Sequence, residues 1–176
     1  MLSLRDLEEA LPALLAIRSV ETRRIDWEFI TREVGVSFPA DFVELAEAYP
    51  SFSVDDFLGL LIPSPGEEKY FVSGVRRLLA DLADLADSEM SHGYAAFPAS
   101  GGLLPWGSSC ESDTFYWRTA GEDPDSWTVL VSGHNDDWVS YPGDLTSYLA
   151  AKMRGTVPPD GLPPDFPSPV PVVEAD

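Results

Sequence analysis

Leu4, Leu7, Leu11 and Leu15 recur at three- and four-residue intervals, the spacing of one face of an α-helix. Ser3 followed by Asp6 resembles a capping box, and Pro12 should kink or split the segment, which spans residues 3–17. A second helix is predicted after Asp26, a good N-cap. Trp27, Ile30 and Val34 lie on one face of it, and Gly35 can adopt the left-handed closing conformation. A third follows with Pro39 at its first position and Phe42 and Leu45 inward, ending at Tyr49–Pro50. Residues 57–63, FLGLLIP, form an unbroken apolar run between turn formers and predict a buried strand. From Glu67 to Asp87 the helical period returns. Val75, Leu78, Leu79, Leu82 and Leu85 make an apolar stripe, and Asp81, Asp84 and Asp87 its wet edge.

Beyond Asp87 the chain breaks into short aromatic and β-branched runs separated by Gly, Pro, Ser, Asn and Asp. Tyr94–Phe97, Gly102–Trp106, Thr114–Trp117, Trp127–Ser132 and Trp138–Tyr141 read as strands of an antiparallel meander. Alternation puts Phe115 and Trp117 on one face and Tyr116 on the other. A last helix, Leu145–Arg154, starts after Asp144, with Lys152 and Arg154 in the final turn where cations suit the dipole. Residues 156–176 then hold seven of the sixteen prolines, four acids and no base. Such a segment is expected to build neither helix nor sheet and to hang as an extended or disordered tail.

Apolar residues make up 44% of the 176, enough for one real core. Charge adds more: 11 basic residues against 30 acidic ones leave a net −19. That sign disfavours nucleic acid and anionic membranes and favours a basic protein partner, whose encounter it would accelerate. A single cysteine cannot form an internal disulfide. The opening MLSLRDLEEALP carries charge where a leader would be apolar, and no apolar run reaches membrane-spanning length. The expectation is a cytoplasmic protein.

Chemistry concentrates in GGLLPWGSSCESDTFYW, residues 101–117. A Cys110 nucleophile would need His92 or His134 as its base, but Glu111 beside it disfavours a thiolate and no strand-to-helix elbow presents it. His134, Asp136 and Asp137, with Glu111 and Asp113, could ligate a hard cation, yet their spacing fits no metal motif and Asn-Asp-Asp is first of all turn chemistry. Nothing matches a phosphate-cradling loop, so no cofactor is expected. WGSSCESD therefore reads as a wet turn between two strands. Glu111 and Asp113 in that turn and Asp136 and Asp137 in the last one are candidate partner-binding acids, with Trp106 or Trp138 as an aromatic anchor.

Trp27, then VGVSFPADFVEL over residues 34–45, resembles the helix–Gly–Pro–Asp–aromatic–helix opening of the SUKH superfamily, the bacterial immunity proteins and related fungal cell-wall assembly regulators. The run 57–63, the pair GGLLPWG and DTFYW, and the helix at 145–154 are similar to its later elements. The resemblance covers about residues 25–154. It implies an α+β fold: an antiparallel or mixed sheet of about five to six strands with helices packed on it. It implies a SUKH-like domain over 25–155; the N-terminal helical extension over 1–24 and the proline-rich tail over 156–176 fall outside its pattern. It carries no catalytic residues. It implies a non-enzymatic protein-binding module that neutralises a toxin by binding it; the net charge of −19, not the resemblance, points to a basic toxin domain such as a nuclease as the partner. The alternative is a regulatory or scaffold protein of the cell-wall type, and a Cys–His or metal-dependent enzyme ranks below both.

Overall fold

Pro12 cannot continue a helix, and the first helical segment divides there: α1 spans Leu4–Ala10 and a 3₁₀ turn spans Pro12–Ile17. The computed structural model describes residues 4–176, so the predicted Ser3 cap lies outside the described residues. α2 (Trp27–Val34) starts where expected, the Asp26 carboxylate accepting the Phe29 N–H at 2.9 Å, and ends at Gly35 with φ +93°. α3 (Ala40–Ala48) has Pro39 one position earlier than predicted, as its cap, and stops at Tyr49. α4 covers Glu68–Asp87, and α5 covers Leu145–Met153 with Asp144 accepting the Ser147 N–H at 2.8 Å.

Among the described residues seven strands make one antiparallel open sheet: β1 (Phe52–Val54), β2 (Leu58–Leu60), β3 (Leu103–Ser109), β4 (Thr114–Arg118), β5 (Thr128–Ser132), β6 (Trp138–Tyr141) and β7 (Val173–Ala175). Their order across the sheet is β6-β5-β4-β3-β2-β1-β7. The fold is α+β, as the sequence suggests, but with more strands than expected. β1 is one addition, made because Asp55 and Asp56 turn the chain back at positive φ ahead of Phe57. Tyr94–Phe97 is not a strand. Ala95 and Phe97 bond only the main chain of Leu103, leaving one isolated parallel bridge before Pro98 breaks the run. Pro105 is tolerated in a central strand because a bulge follows it. Gly107 then passes so close to β2 that a Cβ there would stand 2.9 Å from the Gly59 carbonyl oxygen.

The inner face of the sheet holds the core. Phe52, Leu60, Leu104, Trp106, Phe115, Trp117, Val129 and Val131 are buried there under α1, α3 and α5. Phe42 meets Trp117 edge-on at 5.0 Å, and Trp27 is half-buried beside them. Residues of the N-terminal segment join the same core, with Leu7 and Leu14 fully buried and α1 lying on α5. The outer face is covered only in part: Leu82 of α4 packs with Leu103, Tyr116 and Leu130.

The expectation of a tail without sheet or docking fails. β7 pairs with β1, in the register Phe52↔Ala175, Ser53↔Glu174 and Val54↔Val173. Three side-chain anchors hold the strap that leads to it. Asp160 is buried with Lys152 (Nζ to Oδ1 2.9 Å) and accepts the Tyr148 hydroxyl at 2.9 Å. Phe166 is buried, its ring 4.5 Å from that of Phe57. Burial pushes the Asp55 carboxyl up, but hydrogen bonds from the Ser168 and Val172 N–H groups and the Ser168 hydroxyl outweigh it and hold it below its ordinary value. Proline removes donors and helix, yet it does not prevent a few well-placed side chains from docking an extended segment. No helix among the described residues is long and apolar enough to cross a membrane.

Candidate functional site

Past Leu85, α4 runs out while the outer face of β4, β5 and β6 continues, and a groove of about 490 Å³ opens there. Glu89, Met90 and His92 form one wall, and Ser132, Gly133, His134, Asp136 and Trp138 the other. At Leu85 and Ser112 it joins a cleft of about 320 Å³ that runs back along Arg77, Asp81, Ser109, Asp113 and Tyr116. Trp138, half-buried, stacks on Tyr94 (5.3 Å, 16°), on His92 (5.8 Å, 27°) and, more distantly, on Tyr116 (6.5 Å, 8°).

Backbone conformation marks the same place. Of the six non-glycine residues with positive φ among the described residues, Glu89, His92, Ser112 and Asp136 all line this groove. Each costs about 1–2 kcal/mol in that conformation, and such costs concentrate where geometry is held for a purpose.

Asp113 ties the two turns together. It is fully buried, and its carboxylate accepts the Ser109 hydroxyl, the His134 N–H (2.8 Å) and the His134 ring N–H at Nδ1 (3.1 Å). The ring must donate, because a carboxylate only accepts. Ser109 Oγ in turn accepts the N–H groups of Glu111 (3.1 Å) and Asp113 (3.0 Å). In a nucleophilic triad the imidazole lies between hydroxyl and carboxylate; here the carboxylate lies between, and it is Asp113 rather than the imidazole that takes the Ser109 hydroxyl hydrogen bond. Cys110 is exposed, and among the described residues its side chain bonds neither histidine.

Two of the six sequence-predicted partner residues cannot present themselves. Trp106 is fully buried in the inner core, 5.1 Å from Phe115 and 6.1 Å from Tyr148, and offers no anchor. Asp113 is a buried cross-link rather than surface acid. Their strand and turn positions gave no sign of this, because alternation tells which residues share a face and not which face is covered. Glu111, Asp136 and Asp137 are exposed and Trp138 half-exposed. His134 brings Glu111 (3.8 Å) and Asp113 together, and His92 meets Asp136 at 2.9 Å. That division sets His134 with Glu111 and Asp113 and His92 with Asp136, and among the described residues no group of three His, Cys, Asp or Glu is arranged to hold a metal ion.

Sequence reasoning missed His92, Tyr94, Tyr116 and Glu89 as groove residues. A histidine and a tyrosine in SHGY were a signal, but only the fold sets them against Trp138. Burial pushes the Tyr116 hydroxyl up to about 12, with the nearby Asp81 charge adding to it and a Thr114 hydrogen bond opposing it, so it remains a neutral donor. The rim is acidic: Asp81, Glu89, Glu111, Asp136 and Asp137 are exposed, and the one lysine or arginine among the lining residues, Arg77, already faces Asp81 at 3.7 Å. No known family pattern matches this chain, and no characterised protein and no solved structure matches it.

Proposed function

We propose that this chain is a non-enzymatic protein-binding module of the toxin-immunity type, which neutralises a basic toxin domain by holding it against the outer groove. The observation that carries this reading is the groove itself: an incompletely covered sheet face with a stacked aromatic floor, an acidic rim and four strained residues around it. Aromatic floors supply contact area at low entropy cost, and acid rims steer basic partners. The excess of acid over the whole chain acts in the same sense. The likeness of residues 25–154 to SUKH immunity proteins is the further support.

The test is capture from a native lysate at low salt, by the wild type and by an Asp136→Asn, Asp137→Asn, Trp138→Ala variant. The reading expects a basic protein on the first and not on the second. It also expects that the captured domain, expressed alone, arrests growth, and that co-expression of this chain restores it. A captured protein that is harmless alone turns the reading to regulation. Equal capture by both proteins removes the groove as the binding surface.

A further inference from the structure

β6 is the last strand on its side of the sheet. Its pairing with β5 tells which of its main-chain groups are in use. Gly133 N–H donates to the Asp137 carbonyl at 2.7 Å, in the register that pairs Val131 with Val139 and Val129 with Tyr141. In an antiparallel ladder alternate residues point to opposite sides, so the N–H and C=O groups of Trp138 and Ser140 face away from the sheet. No hydrogen bond from a described residue outside the sheet reaches them. Trp138–Tyr141 contains no lysine, no proline and no bulge, the usual devices against unwanted pairing. Tyr141 turns to the core, 5.4 Å from Tyr148, while Trp138 turns to the groove. A strand added beside β6 would therefore extend the groove floor.

Charge selects the occupant. Asp136 and Asp137 stand exposed at the head of the strand, and a second copy would bring another −19 to the same edge. We propose that β6 is a strand-addition site: an extended, lysine- or arginine-bearing segment of the partner pairs with the Trp138 and Ser140 main chain and lays its basic side chains toward Trp138 and Asp136. Main-chain pairing gives the affinity in this mode, and alternate side chains give the selectivity. A cation above the Trp138 ring gains from the ring's negative face. This rests on the protein-binding reading above and adds how the partner is held.

A short peptide of alternating lysine and valine is the probe, titrated by fluorescence with amide hydrogen exchange read at Trp138 and Ser140. Binding should slow exchange at both amides. The affinity should fall about tenfold for Ser140→Pro, which removes only an outward N–H. The same loss should follow N-methylation of the peptide on the wild-type protein, so the result does not depend on the variant folding. A glutamate–valine peptide should not bind. Free exchange at both amides under saturating lysine–valine peptide overturns the proposal, and so does equal affinity for the N-methylated form. Slowed exchange that tracks dimer formation would replace the basic segment with a second copy. If the protein captured from lysate binds while Trp138 and Ser140 exchange freely, strand addition falls and the protein-binding reading stands.

Discussion

At one edge of the sheet β1 turns the main chain of Ser51, Ser53 and Asp55 outward, and the C-terminal segment takes these groups up. Asp176 N–H donates to the Ser51 carbonyl at 2.9 Å, and Asp55 N–H to the Val172 carbonyl at 2.8 Å. At the other edge β6 turns Trp138 and Ser140 outward, with no strand of the described residues beside it. Closing an edge is not done by the strand alone. None of the three residues of β7 is buried, so its hydrogen bonds compete with water. The strap needs Asp160, Phe166 and Asp55 as anchors to hold it. The chain thus commits a buried ion pair and an aromatic to one edge and nothing comparable to the other, while acid and aromatic residues gather around the open one.

The comparison can be broken most directly by removing the strap. Deleting residues 156–176 should lower stability by about 4 kcal/mol or more, chiefly through the loss of buried Phe166, read by denaturant unfolding. A melting temperature within a degree or two of wild type would mean the strap adds nothing. Asp160→Ala should cost up to about 3–5 kcal/mol, because it leaves the buried Lys152 ammonium without its counter-charge. It cannot exceed the deletion, since the strap can simply let go; equal costs for the two would show that it undocks as a unit.

A smaller effect is set by pH. Burial pushes the Tyr148 hydroxyl, part of the strap anchor, well up, and the neighbouring Asp160 adds to it; Tyr116, on the open side, is pushed up to about 12. A raised folded-state value means that the stabilisation is whole below about 10 and is lost as pH rises through the folded value. Tyr116 alone should remove about 2–3 kcal/mol between pH 10 and 12, and Tyr116→Phe should flatten that part of the curve. Smallest is a matched pair of prolines. Ser53→Pro takes away an N–H that faces β7 and should cost about 0.5–1.5 kcal/mol, whereas Ser140→Pro should stay within about 0.5 kcal/mol. Equal losses would mean that both edges are in fact paired.

The elements that carry their own signals were legible before folding. Asp26 with Gly35, and Asp144 with the apolar run after it, define helices from local capping chemistry alone. The turn-bounded aromatic runs likewise define β4, β5 and β6. What was illegible depends on partners distant in sequence. Asp160 reads as one more acid in a proline-rich stretch until Lys152 and Tyr148 stand beside it, and Phe166 as a stray aromatic until Phe57 does. β1 offers only Phe52 and Val54 in a polar stretch, too little for a pattern. At the groove, Glu111, Asp136, Asp137 and Trp138 could be chosen as turn acids and an aromatic. That Asp113 is buried and Tyr94 lies under Trp138 follows from the packing of segments that share no local pattern.

Ala175 pairs with Phe52 across most of the chain, whereas β3, β4, β5 and β6 pair with their immediate neighbours in sequence. A long loop surrenders chain entropy before any contact repays it, so the local hairpins are expected to assemble before the clasp of β7 on β1. The same ordering runs in reverse. Amide protons of β7, whose residues are not buried, should therefore exchange sooner than those of the central strand β4. The β1 edge is thus a surface that the protein covers with its own C-terminal segment, and any release of that clasp would bare it.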